Sequence, residues 1–337
     1  MRSSAAPAVL DLDAGLVSSN GMRDLTLAVH ERRQAADGVV ALTLVDPSGD
    51  ELPGWAPGSH IDVCLGDSLQ RQYSLCSSPS VRNEWRIAVL AEPNGRGGSA
   101  FVHEHVREGV ELRIRGPRNN FQLVTAPSYL FIAGGIGITP ILPMIETVSL
   151  SGASWRLLYG GRTRKSMAFL KELSTYGDHV DVSPQDEAGL LDLDGFLGKP
   201  DDGTRIYACG PQALLEAVEQ RCDVWPDGAL RVERFSASAG PAGSPQNELA
   251  SFEVDCRRSG ITVTVPSDVS IYDALTDVGI DIDSSCLEGI CGSCQTPVLE
   301  GEPDHRDHLL TGNDRENAQI MYVCVSRARS RRLVLDV

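Results

Sequence analysis

The stretch Val39–Val45 (VVALTLV) is apolar and rich in β-branched residues, as a strand should be. Ile61–Leu65, Trp85–Leu90 and Val110–Ile114 read the same way, with PSGDELPGW and EPNGRGGS as turns between such runs. Short strands at this spacing over residues 22–125 predict an antiparallel β-barrel or sandwich. After residue 126 the pattern changes. Ser128–Ala133 (SYLFIA) reads as a buried strand, followed by GGIGITP and an apolar helical stretch around Ile141–Leu150. Trp155–Tyr159 is a second strand and Met167–Leu173 a helix; Arg205–Ala208 is a later strand, with a helix after Pro211. Strands alternating with helices predict an α/β domain with a parallel sheet over residues 126–236.

Ser236–Asn247 (SASAGPAGSPQN) has no charge and no large apolar residue, which is linker composition. It sets off a C-terminal domain, 250–337, across a linker at 237–249. In that domain Phe252–Cys256 and Ile261–Val265 alternate as hairpin strands. Ser270–Asp277 has helical character with a capping residue at its start, and Arg332–Leu335 closes the domain as a strand. Residues 1–21 form an N-terminal extension.

Hydrophobic residues make up 42% of the 337, enough for ordinary cores. The formal net charge of −16 argues against non-specific nucleic-acid binding and against anionic membrane surfaces. No apolar run approaches membrane-spanning length, and Asp11 and Asp13 interrupt the only apolar part of the N-terminus, so a cytoplasmic protein is expected. A monomer is expected, since no motif suggests an oligomeric interface. Nine cysteines in a reducing compartment favour metal ligation or catalysis over disulfides.

Four of the nine are patterned: Cys286, Cys291, Cys294 and Cys324 have the spacing C-x4-C-x2-C…C of a plant-type [2Fe–2S] site. Each iron needs two thiolates beside its bridging sulfides. One loop can supply three, and the fourth comes from elsewhere. Gly289 and Gly292 let the backbone approach the sulfides and aim N–H groups at them. Zinc is the competing metal, but it usually takes paired C-x2-C knuckles, and only one is present.

Gly134-Gly135-Ile136-Gly137-Ile138-Thr139-Pro140 follows a strand and precedes a helix, where glycines admit a pyrophosphate to a helix N-terminus. A plain tight turn has the same needs, and the sequence is not the G-x-G-x-x-G fingerprint. Arg71-Gln72-Tyr73-Ser74-Leu75 mixes a cation, an aromatic and a hydroxyl; alone, it is also compatible with an ordinary barrel strand. Asn94–Ser99 (NGRGGS) is a second candidate phosphate loop, or a flexible hairpin.

RQYSL, GRGGS, GGIGITP, YACGP at Tyr207–Pro211 and ERF at Glu233–Phe235 occur in the order seen in the ferredoxin-reductase superfamily. With the cysteine motif, residues 22–337 resemble reductases of the phthalate dioxygenase reductase type. The resemblance implies a flavin β-barrel at 22–125, an NAD(P)-binding α/β domain and a β-grasp ferredoxin domain. It implies FMN contacted by Arg71, Tyr73 and Ser74, with its phosphate on Arg96, Gly97, Gly98 and Ser99. Gly134, Gly135, Gly137 and Thr139 would line the nicotinamide nucleotide. Cys209, Gly210 and Pro211 would sit by the nicotinamide and Phe235 near the flavin, making Cys209, Ser74 and Phe235 the catalytic candidates. The turn from Tyr159 to Lys165, with Arg162, is where the adenosine ribose would be sensed. It carries three basic residues and no acid, which leaves NADPH open beside the NADH of such relatives. The implied partner is a terminal oxygenase, first of the Rieske non-haem iron type and second a haem-thiolate monooxygenase, docking near the cluster. A free-standing flavin or ferric reductase and a redox sensor are the alternatives.

Other residues read as structural. His103 and His105 belong to a helix start after the phosphate loop, His305 and His308 face solvent, and Cys64, Cys76, Cys222 and Cys256 are small buried hydrophobes. Asp281, Asp283 and Glu288 flank the cluster loop, either as a solvated face or as a docking surface for a basic partner.

Overall fold

A computed structural model of the chain describes residues 23–66, 69–235, 251–310 and 319–337, with Arg315 and Asn317. The N-terminal extension and the expected linker therefore lie outside the described residues. The chain divides into two compact units, one ending at Glu233 and the other starting at Arg234.

The first unit opens with strands β1 (Arg23–Ala36), β2 (Val39–Val45), β3 (Ser59–Leu65), β4 (Leu69–Ser74), β5 (Trp85–Leu90) and β6 (Glu111–Asn119), with helix α1 (Gly98–His105) between the last two. They pair antiparallel in the order β4-β3-β6-β1-β2-β5. β1 pairs with β6 through Arg23–Ala28 and with β2 from Ala28 to Ala36, across two register shifts. A strand that changes partner over bulges bends, and the sheet curls until its edges meet: the Cys76 amide, just past β4, donates to the Arg86 carbonyl of β5 at 2.8 Å. Leu27, Leu42, Ile61, Val63, Trp85 and Ile87 fill the inside.

Next come β7 (Ser128–Gly134), α2 (Ile138–Ser151), β8 (Ser154–Gly161), α3 (Leu170–Leu173), β9 (Val180–Pro184), α4 (Gln185–Ala188), α5 (Leu193–Leu197), β10 (Thr204–Cys209), α6 (Gln212–Cys222) and β11 (Leu230–Glu233). The strands form a parallel sheet in the order β11-β10-β7-β8-β9. One apolar cluster takes Val39, Ala41 and Ala88 from the curled sheet and Phe121 just past it, together with Tyr129, Phe131 and Leu157 from the parallel sheet and Ile141 from α2.

Two sequence expectations fail here. The helix expected over Met167–Leu173 is only the four residues of α3, because Phe169 before it takes a left-handed φ of 62°. That turn lays the Phe169 ring under the Arg86 guanidinium, 4.9 Å from the ring centre, while Glu172 accepts from Arg86 and Arg33 of the curled sheet. His103 and His105 sit in the last turn of α1, not at its start, and the His103 ring bonds the Val89 carbonyl at 3.0 Å.

The second unit holds β12 (Ser251–Cys256), β13 (Ile261–Pro266), α7 (Ile271–Asp277), β14 (Gln295–Glu300), β15 (Pro303–Asp304), β16 (Ile320–Tyr322), β17 (Arg327–Ala328) and β18 (Arg332–Leu335). The main sheet runs β13-β12-β18-β14-β16, parallel only between β12 and β18, and β15 pairs with β17. Ser270 caps α7 by accepting from the Asp273 amide at 3.0 Å. Phe252, Val254, Ile271, Leu275 and Leu333 form the core beneath it. His305 departs from expectation: its side chain is 6% exposed, and neither ring nitrogen finds a hydrogen-bond partner among the described residues. Desolvation holds its pKa below the usual histidine value, so the ring is neutral. Cys76, Cys222 and Cys256 are buried as expected, whereas Cys64 is half-buried.

Candidate functional site

Arg71, Tyr73 and Ser74 share β4, and the curl of the sheet brings β4 beside the loop that leads into α1. Arg71 crosses that loop. Its Nη2 donates to the Arg96 carbonyl at 2.6 Å and its Nη1 to the Gln70 carbonyl at 2.7 Å. A Cβ on Gly98 would stand 2.4 Å from Arg71 Cγ, so only glycine fits under the arginine. Gly97 caps the helix with a left-handed φ of 83°, and Ser99 Oγ accepts from the Glu92 amide at 3.0 Å. The first amides of a helix have no intrahelical acceptor, and α1 carries no acid in its first turn. A cation, a glycine pair and a helix N-terminus are the donor set of a phosphate, so these residues fit FMN.

The glycines of the second turn divide their work. A Cβ on Gly137 would lie 2.3 Å from the Cys209 carbonyl oxygen, and one on Gly134 2.7 Å from Pro211 Cδ and Leu214 Cδ2. These two let the β7–α2 turn press against the β10–α6 turn. Gly135, with φ 55°, faces open space. Thr139 is buried, its hydroxyl donating to the Ile136 carbonyl at 3.0 Å within the turn. In a parallel sheet the ligand crevice lies at the strands' carboxyl ends, where the order reverses, here between β7 and β10.

At that crevice Cys209 and Glu233 end paired strands, with Cys209 Sγ 4.0 Å from Glu233 Oε2. The Ser74 hydroxyl hydrogen-bonds the Glu233 carboxyl. Desolvation pushes the Glu233 pKa up to about 8, against the weaker pull of that bond. Burial and then the Glu233 charge push the Cys209 thiol well above its ordinary value. Near neutral pH the three groups form an uncharged nook. Cys209 and Ser74 were legible as a pair of motif residues; Glu233 was visible only as the first letter of ERF. Phe235 stands past the boundary between the units, 44% exposed.

The turn after β8, which carries Arg162, is closed by a capping box between Thr163 and Ser166. Its sequence has no acid, but the fold supplies one. Glu187, from α4, accepts from Arg164 Nε at 3.1 Å and Nη2 at 2.7 Å.

In the second unit Cys286, Cys291, Cys294 and Cys324 are buried and fall into two pairs. Cys294 and Cys324 have their sulfurs 3.1 Å apart, and Cys286 shares a hydrogen bond with Cys291. In each pair the shared sulfur–sulfur hydrogen bond splits the two thiols and holds Cys291 and Cys294 below the ordinary thiol value. Backbone amides already point at the sulfurs: Glu288 N lies 3.2 Å from Cys286 Sγ and Ser293 N 3.5 Å from Cys291 Sγ. Two adjacent pairs of thiols are the donor set of a two-iron cluster, which these residues fit. Gly289 and Gly292 both have positive φ, and Gly289 serves twice: its backbone hydrogen-bonds the Cys324 sulfur, and a Cβ there would meet Val325 Cγ2 at 2.6 Å and Asp307 Cα at 3.1 Å. Leu287 takes φ 57° and is 50% exposed, the strained residue of the loop.

Comparison with known proteins agrees with this layout. The 2Fe-2S iron-sulfur cluster binding domain family matches residues 254–329, and the oxidoreductase NAD-binding domain family matches residues 131–220. The phenoxybenzoate dioxygenase subunit beta of Ectopseudomonas oleovorans is 38% identical over 94% of this chain and 98% of its own. The phthalate dioxygenase reductase of Burkholderia cepacia is 37% identical over 93% of this chain and 97% of its own. A solved phthalate dioxygenase reductase, described as a modular structure for electron transfer from pyridine nucleotides to [2Fe-2S], has a TM-score of 0.68 at 35% identity. It is matched over 93% of this chain and 98% of that one. An intact type IV self-sufficient cytochrome P450 monooxygenase has a TM-score of 0.88 at 43% identity, but the chain spans only 41% of its length. The chain belongs to the phthalate dioxygenase reductase family, as an oxidoreductase with an NAD-binding part and a [2Fe–2S] part on one polypeptide.

Proposed function

We propose that this chain is the reductase component of an oxygenase system, taking electrons from NADH and delivering them singly to a Rieske-type oxygenase. The observation that carries it is the coexistence, on one chain, of the Ser74–Glu233–Cys209 nook at the nucleotide crevice and two buried thiol pairs. Bound FMN would take up the two electrons of a hydride and a [2Fe–2S] cluster would carry one at a time, the conversion that oxygenase centres require.

The chain's own residues bind and orient. Arg71, Gly98 and Ser99 hold the flavin phosphate, and Arg96 holds Arg71. Tyr73 keeps a neutral phenol, its pKa pushed up to about 12 by burial, suited to lie against an aromatic ring. Cys209 fills the space beside the nicotinamide with an unionised thiol and excludes water. Ser74 and Glu233 hold a proton at the Glu233 carboxyl. In this reading the curled sheet acts as a closed flavin barrel and the second unit as a β-grasp ferredoxin, and the chain works in the cytoplasm as a monomer.

Charge supports a docking site for the oxygenase. Between Ser259 and His305 there are nine Asp or Glu and no Lys or Arg, and this stretch contains three cluster ligands. Asp281 and Asp283 are exposed beside the cluster loop and Glu288 half-buried in it. A basic face around the oxygenase's own redox centre would complement them. A haem-thiolate monooxygenase is the second reading, favoured by the cytochrome P450 likeness over 93% of this chain.

The test is reduction of the purified chain by NADH, then mixing with a Rieske oxygenase or a haem-thiolate monooxygenase. Electron delivery to the Rieske protein supports the reading. Failure to reduce either, or even cytochrome c, overturns it.

A further inference from the structure

The sheet order orients the dinucleotide. β10 ends at Cys209, the nicotinamide end, and β8 lies on the other side of β7. The adenosine half therefore extends over the end of β8, where the turn Arg162–Ser166 begins. A 2′-hydroxyl at this place seeks a carboxylate, and a 2′-phosphate seeks free cations.

The fold decides between them with residues far apart in sequence. α4 is fixed against the turn by the Asp186 amide, which donates to the Arg162 carbonyl at 3.2 Å. From that position Glu187 engages Arg164 through both carboxylate oxygens. The two N–H groups that would grip a phosphate as a fork are already used. The two side chains are 52% and 48% exposed, so the pair adds little to stability and matters for what it leaves available to a ligand.

We propose that Glu187 is a specificity-determining residue, which disfavours the 2′-phosphate of NADPH by occupying Arg164 and by its own charge. The proposal rests on the nucleotide-site reading above. Arg162 and Lys165 stay on the turn, so the discrimination is modest rather than absolute.

The test is calorimetric binding of NAD+ and NADP+ to the flavin-loaded full chain, alongside KM for NADH and NADPH. The wild type should prefer NAD+. Glu187→Gln should tighten NADP+ about tenfold and leave NAD+ within about threefold. Adding Arg164→Gln to that variant should abolish the gain. A wild-type preference for NADP+, or an unchanged ratio in Glu187→Gln, overturns the proposal while leaving the nucleotide site intact. Binding of neither nucleotide overturns both.

Discussion

Cys209 and Glu233, which end neighbouring parallel strands, place a thiol sulfur 4.0 Å from a carboxyl oxygen, and Ser74 reaches that carboxyl from the curled sheet. A half-buried, desolvated carboxyl with a pKa of about 8 carries its proton at neutral pH. Hydride transfer from NADH should therefore slow as pH rises through about 8, when a negative charge appears in the nook. Glu233→Gln should flatten that limb in stopped-flow measurements. Stability follows the same proton. For an acid whose folded pKa is raised, the contribution is full below the ordinary value of 4.5 and lost as pH rises through about 8. The wild-type melting temperature should fall over this window more than that of Glu233→Gln. Identical profiles for the two proteins would refute the assignment.

Gly98 lies under Arg71. Gly98→Ala forces the Arg71 side chain off the loop, because the new Cβ would stand 2.4 Å from its Cγ. Flavin affinity should drop by about tenfold or more, read from the fluorescence of flavin released on dilution. Nucleotide binding should change little, since the crevice at β7 and β10 is a separate set of contacts.

Gly137→Ala should act on the other cofactor. Its Cβ would meet the Cys209 carbonyl at 2.3 Å, an atom held in the β10 backbone that cannot swing away. KM for NADH should rise severalfold and the melting temperature should fall, while flavin content stays near one per chain. Normal nucleotide kinetics would show that the two turns do not need this approach.

Much of this architecture was legible because its signals are local. Strand runs, each strand–helix step and the loop of Cys286, Cys291 and Cys294 are written within short stretches, and only Cys324 stands apart, 30 positions after Cys294. The misses are contacts between distant segments. Phe169 breaks its helix for the sake of Arg86, 83 positions upstream, and Glu187 reaches a turn whose own sequence has no acid. Glu233 acquires its pKa from burial and from Ser74 on another sheet. His305 read as solvent-facing, since nothing in its own stretch of sequence signals burial. The β15–β17 ribbon and Asp307 instead turn it inward.

Asp307 braces the cluster loop from outside the cysteine motif. Its Oδ1 accepts from the Leu309 and Leu310 amides at 3.0 and 2.8 Å, and the next residue, His308, donates to the Gly289 carbonyl at 2.9 Å. Asp307→Ala leaves two amides unpaired, at a cost of about 1–3 kcal/mol. The second unit should melt earlier, and the iron–sulfur visible bands should bleach faster on warming. An unchanged melting curve would remove Asp307 from the account.

In the proposed function electrons leave through a two-iron cluster held by Cys286, Cys291, Cys294 and Cys324. Low-temperature electron paramagnetic resonance of the anaerobic, NADH-reduced chain tests it most directly. The wild type should give the signal of a reduced [2Fe–2S] cluster and Cys294→Ser should not, with flavin retained in both. A wild-type chain that oxidises NADH but shows no such signal would contradict it.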